Sequence, residues 1–228
     1  MSQIKGYYAS RNGKGYFVPA HSDSRQKHDK DKVLPVDPGM AKMRDTITNF
    51  LRTKEGQKEL EDKIKAGGFR KTIPEVVHLY GVEQGAHHPL PDAFDHTMEV
   101  VRRLPPDADD NTRWAALLHD IGKVDAQRVD PKRGTIFDGH EYVGYKQSKA
   151  VLRRLGFDQE DADEIRYLIR HHGSLRTVFL RGDEDDAKDF IDHPHFDNLL
   201  KLHEADVRAS NRDPHEVLEK VKELKTQQ

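Results

Sequence analysis

Cysteine is absent from all 228 residues, which excludes disulfides and thiolate metal ligands and fits a reducing compartment. Long apolar runs are missing as well. No stretch approaches the ~18 uninterrupted hydrophobic residues that a membrane helix needs, and the start, Met1-Ser2-Gln3-Ile4-Lys5, has no apolar core of a secretory signal. A cytoplasmic protein without a membrane partner is the expectation. Aromatic residues are scarce, at 7% with a single tryptophan, and hydrophobic residues at 35% barely exceed charged ones at 34%. The core is therefore modest and the surface densely charged. An excess of one charge is also lacking, since 38 Lys and Arg face 40 Asp and Glu. That balance conceals an asymmetry: residues 1–72 hold 16 basic and 9 acidic residues, a net of +7, and the remainder 22 and 31, a net of −9. What the chain does have is histidine, 14 of them, and imidazole is the commonest protein metal ligand.

The length fits one ordinary domain with an appendage, or two small domains. Residues 1–20 read as a β-hairpin arm, with β-prone runs Ile4–Tyr8 and Gly15–Val18 around an Asn12-Gly13 turn. A lone hairpin is marginal, so it is expected to pack on the body or on another subunit. Residues 21–39 are polar, charged and closed by Pro35 and Pro38, as in an extended linker; His21 and His28 there have no partner ligands at useful spacing. Residues 40–228 read as helical. Met43, Ile47 and Phe50-Leu51 recur near a 3.6 period until Gly67-Gly68, and segments 92–104, 111–122, 141–155, 160–172 and 196–210 each show an apolar stripe. Within residues 124–138, Asp130-Pro131-Lys132-Arg133-Gly134 predicts a loop or a short hairpin. Residues 181–186 are expected to form a solvated acidic loop, and His193-Pro194-His195 to cap the next helix. The tail from Pro214 predicts an amphipathic helix through Val217, Val221 and Leu224 that packs on the body, self-association being the alternative. The fold class is all-α with small hairpins.

The strongest chemical signal is Leu117-Leu118-His119-Asp120-Ile121-Gly122-Lys123. The apolar run from Trp114 to Leu118 buries this helix almost all round, and a buried carboxylate is costly unless paired or metal-bound. Gly122 ends the helix and leaves Lys123 near a pocket mouth, where it could meet an anionic substrate. Other candidates lie on inner helix faces. His96 shares a stripe with Val100 and Leu104, and Asp206 follows Leu199, Leu202 and His203 where a core residue belongs. His172 continues Ile165, Leu168 and Ile169, with His171 rotated away but close, and His140 sits where a loop re-enters a helix. One inward histidine is ordinarily a hydrogen-bonded core residue. Six such placements over five segments, one of them a His-Asp doublet, favour a metal centre.

The order His96, His119-Asp120, Asp206 resembles the signature of HD-domain metal-dependent phosphohydrolases. The likeness extends to residues 74–84 (Pro74 to Gln84), His88-Pro89, Phe94 to Thr97, Trp114 to Lys123, Phe137 to Glu141 with Gly144, and Leu202 to Asp206. These are similar to the HD portion of bacterial CCA-adding tRNA nucleotidyltransferases and cover a motif core of about residues 74–210. The polymerase head of those enzymes has no counterpart in residues 1–73, so nucleotide addition is not expected and the hydrolytic module is.

The resemblance implies an HD helical bundle in which His96, His119, Asp120 and Asp206 hold one divalent ion. His140 and His172, or His171, would add a second ion, with Asp120 bridging. Imidazole and carboxylate without thiolate suit Mn²⁺, Fe²⁺, Co²⁺, Ni²⁺ or Zn²⁺ better than Ca²⁺, with Mg²⁺ admitted. Such ions would lower the pKa of a bridging water, whose hydroxide attacks phosphorus in line. Asp120, Lys123 and His140 are the catalytic candidates; Lys123, Arg128 and Arg176 are the candidates for substrate binding. Glu141 and Glu204 would orient ligating imidazoles, unless they are simply solvated. The implied substrate is a nucleotide or phosphodiester, through 2′,3′-cyclic phosphodiesterase, nucleotidase or phosphatase activity. Two other readings are a di-iron oxygenase of the same ligand set, and a binding module whose basic first 72 residues grip nucleic acid or a protein partner.

Overall fold

A computed structural model of the chain describes the backbone of Gly6–Arg11 and Lys14–Pro19 and, in full, residues 37–85 and 88–227. Strands β1 (Gly6–Arg11) and β2 (Lys14–Pro19) pair antiparallel with Arg11 opposite Lys14, so the N-terminal hairpin is present. The Asn12-Gly13 turn and the linker with His21 and His28 lie outside the described residues, as does His87.

The body is helical, as the stripes predict. Helix α1 (Pro38–Leu51) begins with Asp37 accepting from Gly39 N–H, 2.8 Å away, and Pro38 in the first turn. The sequence pattern runs on to Gly67, but the chain breaks at Arg52 and starts α2 (Lys54–Lys65). Thr53 caps the new helix through Gly56 N–H. Gly56 is needed because a Cβ there would lie 2.6 Å from the Phe50 carbonyl oxygen. After the short α3 (Pro74–Val77), Asp92 starts α4 (Ala93–Arg103) by accepting from Asp95 N–H, and its second oxygen accepts from Gly81 N–H.

Helix α5 (Asp110–Leu118) is the centre of the core. Every residue from Thr112 to Leu118 is buried, and the helix packs on α1, α4, α8 and α11. Each large apolar side chain removed from water there contributes about 1.5–3 kcal/mol. The one charged residue of that buried run, Arg113, is satisfied by the carbonyls of Leu51 and Pro106. The short α6 (Lys123–Ala126) leads into a second hairpin, β3 (Arg128–Asp130) with β4 (Gly134–Ile136). Asp130 accepts from Lys132 and Arg133 N–H at that turn, as its turn chemistry predicts.

Helices α7 (His140–Leu155) and α8 (Gln159–His171) form a hairpin around Gly156, whose φ of 72° closes α7, and Asp158, which caps α8. Helices α9 (Leu175–Arg181), α10 (Glu184–Ile191), α11 (Phe196–Ala209) and α12 (His215–Thr226) complete the body. The expected acidic loop is a helix start: Asp183 caps α10, and Glu184, Asp185 and Asp186 occupy its first turn, where anions complement the helix dipole. His195 occupies the first cap position of α11 but makes no side-chain capping bond; its ring faces Glu164 instead. The tail packs on α9 and α10 through Val217, Val221 and Leu224, all buried. Among the described residues no helix is long and apolar enough to cross a membrane.

Candidate metal centre

Five helices bring their ends or inner faces to one point. His119 caps the C-terminus of α5, and Asp120 follows in the turn held by the bond from Lys123 N–H to Asp120 O. His140 opens α7, His172 closes α8, His96 lies within α4 and Asp206 within α11. Gly122 makes the approach possible. A Cβ there would lie 2.2 Å from His140 O and 2.5 Å from Gly144 N, so only glycine lets the start of α7 rest on the His-Asp turn.

The side chains converge closely. His96 Nε2 is 3.0 Å from Asp206 Oδ1 and 3.6 Å from Asp120 Oδ2. Asp120 Oδ2 is also 3.2 Å from His119 Nε2 and 2.7 Å from Lys123 Nζ, while Oδ1 is 3.2 Å from His140 Nε2. His140 Nε2 and His172 Nε2 are 3.2 Å apart. His96, His119, Asp120 and His172 are essentially without solvent contact. Two triads able to hold an ion share His119: His96, His119 and Asp206, and His119, Asp120 and His172.

Local backbone decides which ring nitrogens face inward. His119, His140 and His172 each donate Nδ1–H to the carbonyl three residues earlier, on Ala116, Phe137 and Ile169, at 2.8–2.9 Å. A neutral imidazole anchored that way presents Nε2 as a bare acceptor. With these rings neutral the centre therefore gathers acceptors facing acceptors, and His119 Nε2 and His96 Nδ1 are buried without a hydrogen-bond partner. Positive charge resolves such a clash. Burial opposes ionisation of Asp120, yet the charges of His119 and Lys123 outweigh it and hold its carboxyl well below the usual range. Asp206 is likewise kept ionised against burial by its bond to His96 and by neighbouring imidazoles. Burial lowers the pKa of His172 to about 4, whereas Asp120 overcomes burial and raises those of His119 and His140. When the imidazoles are neutral, as metal ligands must be, two ionised carboxylates against one ammonium leave net negative charge in a largely buried site. A divalent cation fits both that charge and the imidazole-carboxylate donor set.

The family model described as "HD domain" matches residues 92–208, just over half of the chain. The chain belongs to the HD domain family. Among curated relatives, the HD protein is 32% identical to an A-adding tRNA nucleotidyltransferase of Deinococcus radiodurans over 76% of this chain and 40% of the relative. It is 30% identical to a CC-adding tRNA nucleotidyltransferase of Thermus thermophilus over 82% of this chain and 44% of the relative. A multifunctional CCA protein of Aromatoleum aromaticum matches at 39% identity over 47% and 26%. The HD protein thus spans less than half the length of the relatives it matches.

Of the residues singled out from the sequence, His96, His119, Asp120, His140, His172, Asp206 and Lys123 meet at this HD centre. His171 does not. It packs between Tyr167 and Phe190, and burial depresses its pKa to about 3. Arg128 is exposed and engaged by Asp138, and Arg176 is exposed and engaged by Glu216, so both are drawn to surface carboxylates. Glu141 lies 3.6 Å from His140 Nδ1 and is partly buried, whereas Glu204 pairs with Arg208 at the surface. Sequence reasoning missed Gln84, whose Oε1 accepts from Lys123 Nζ at 2.6 Å. It met His88 only as part of the family likeness; the ring stands edge-on to His96, centroids 5.0 Å apart. Both precede α4 in irregular chain, where periodicity carries no signal.

Proposed function

We propose that the chain is a metal-dependent phosphohydrolase acting on a nucleotide or a phosphodiester. One observation carries this reading: three imidazoles, each locked by its own backbone, aim bare nitrogens at two ionised carboxylates in a buried site. The HD family membership supports it, and relatives named for tRNA make an RNA-terminal phosphoester one substrate class to include.

In this reading His96, His119, Asp120 and Asp206 hold one divalent ion, and His140 and His172 join Asp120 around a second. Ions bound there supply Lewis acidity, withdrawing charge from phosphoryl oxygens and acidifying water. The protein contributes orientation and exclusion of water. The carbonyls of Ala116, Phe137 and Ile169 fix three ring planes and tautomers, as carbonyl partners do around metal-ligating histidines. Lys123 holds its ammonium between Asp120 and Gln84, a fixed positive charge for a phosphate dianion. Arg128 and Arg176 contribute no positioned charge here, being spent on Asp138 and Glu216.

The test is hydrolysis by pure protein of 2′,3′-cyclic nucleotides, nucleoside monophosphates, short RNA ends and nitrophenyl phosphate esters, with Mn²⁺, Ni²⁺, Co²⁺ or Mg²⁺. Activity that needs the metal and vanishes in a His119→Ala/Asp120→Ala variant is expected. Hydrolysis that survives in that variant, or none with any metal, sinks the reading. Oxygen consumption by the iron-loaded protein would replace it with an oxygenase.

A further inference from the structure

Lys123 fixes more than its own position. An ammonium only donates, so the Gln84 atom 2.6 Å from Nζ is the amide oxygen, and the side-chain amide has no freedom to flip. Its nitrogen is thereby turned toward His88 Nδ1 at 3.1 Å and toward the Asp92 carbonyl at 3.0 Å. Leu90 N–H points at the same Nδ1 from 3.3 Å. Two donors meet one ring nitrogen, which must therefore accept, and the proton of neutral His88 sits on Nε2. The Leu90 carbonyl, 3.2 Å from Nδ1, is the competing partner and is outnumbered. His88 has the opposite polarity to His119, His140 and His172: its outer nitrogen gives a hydrogen bond where theirs can only receive one.

That difference separates His88 from the ligand group beside it. Its ring touches His96 edge-on yet belongs to neither metal-capable triad, and it is only partly buried, at the rim of the centre. We infer that His88 is a substrate-contacting residue: a neutral donor that grips a phosphoryl oxygen through Nε2–H, its tautomer set by Asp120 through Lys123 and Gln84. The inference rests on the phosphohydrolase reading and deepens it. No proton is transferred, because an imidazole that surrendered Nε2–H would be left as an anion. The contribution is binding and orientation.

The probe is inorganic phosphate as a competitive inhibitor of the Mn²⁺-loaded full chain, with bound Mn²⁺ counted by elemental analysis. His88→Ala is expected to weaken phosphate binding about tenfold, the effect of losing one hydrogen bond to a charged group, with Mn²⁺ content unchanged. His88→Asn, which keeps an N–H donor, restores most of the loss. Gln84→Glu leaves the His88 ring in place but puts an acceptor opposite Nδ1, and is expected to weaken phosphate binding as His88→Ala does. Nitrogen-15 spectra of the histidines then report the His88 proton on Nε2 in the parent and on Nδ1 in Gln84→Glu. Loss of Mn²⁺ in His88→Ala would make His88 a ligand, and unchanged phosphate binding would make it packing; either overturns the inference. So does an Nδ1–H tautomer in the parent protein. A parent that hydrolyses nothing fails the phosphohydrolase reading itself, whereas an active parent matched by His88→Ala fails only the His88 assignment.

Discussion

His171 and His172 are neighbours in the chain and belong to two different histidine clusters. His172 faces His119 and His140 with two carboxylates close by. His171 faces Tyr167 and Phe190, and beyond them His193 lies flat on the Tyr167 ring, centroids 3.8 Å apart and planes 1° from parallel. His195 completes this second group, with Glu164 at 3.3 Å from its Nδ1. Both clusters are rich in imidazole, and burial depresses histidine pKa values in both. They differ in what the rings show each other. In the first, backbone carbonyls turn lone pairs inward toward negative charge; in the second, ring faces and edges meet and serve as packing. Histidine density is therefore not what makes a metal site. Anchored tautomers together with ionised carboxylates are.

The sharpest way to break this contrast is to disable each cluster in turn. His119→Ala/Asp120→Ala is expected to abolish metal retention and reduce hydrolysis by about 10³-fold or more, since a Lewis-acidic ion supplies several kcal/mol to the transition state. His193→Phe, which keeps a flat ring against Tyr167, is expected to leave both within about twofold. Equal losses in elemental analysis and rate assays would erase the distinction. Next in size is Gly122→Ala. Because the three atoms that the new Cβ would crowd are all backbone, α7 must move. Overpacking of this kind costs about 1–3 kcal/mol, read by thermal unfolding, and calorimetric titration is expected to show the ion at His140 and His172 bound more weakly than the other.

The second cluster makes its own, smaller prediction. Burial, then the charge of His195, lowers the pKa of His193 to about 4, so between that value and the ordinary 6.5 the unfolded chain binds a proton that the folded chain refuses. Stability should fall as pH drops through that window and level off below it. Denaturant titrations should show a shallower fall for His193→Phe; identical slopes would mean that the ring is free to protonate in place. Smallest of all is Tyr167→Phe. The Tyr167 hydroxyl is buried without a hydrogen-bond partner, so removing it is expected to change stability by less than about 1 kcal/mol, with no loss. A clear destabilisation would reveal a polar role for a group assigned to packing.

Much of this was legible in the sequence because apolar periodicity and buried charge are local patterns. The stripes through Val100, Leu117, Leu168 and Leu202 mark helices that the structure contains, and Asp206 stands out as a carboxylate at a core position. Even the choice between His172 and His171 is implicit in the spacing, since only His172 continues the stripe of Ile165 and Leu168. The break at Arg52 was hidden because both α1 and α2 keep apolar faces across it. The acidic start of α10 resembles a loop in composition, and only the cap by Asp183 distinguishes it. The carbonyl anchors, the Gly122 contact with α7, and the chain from Lys123 through Gln84 to His88 join residues through space or through backbone groups, which side-chain spacing does not record.

Trp114 is the only indole in the chain, and it lies one and a half turns ahead of His119 on the central helix. Its Nε1–H donates to Thr48 on α1 at 2.9 Å, and its ring meets Phe157 edge-on. The molecule thus carries a single-source optical gauge wired to the helix that ends in the His-Asp doublet. Substitutions that merely empty the centre should leave its emission blue, whereas those that undock α5 should shift it red, so one fluorescence spectrum sorts lost chemistry from lost structure.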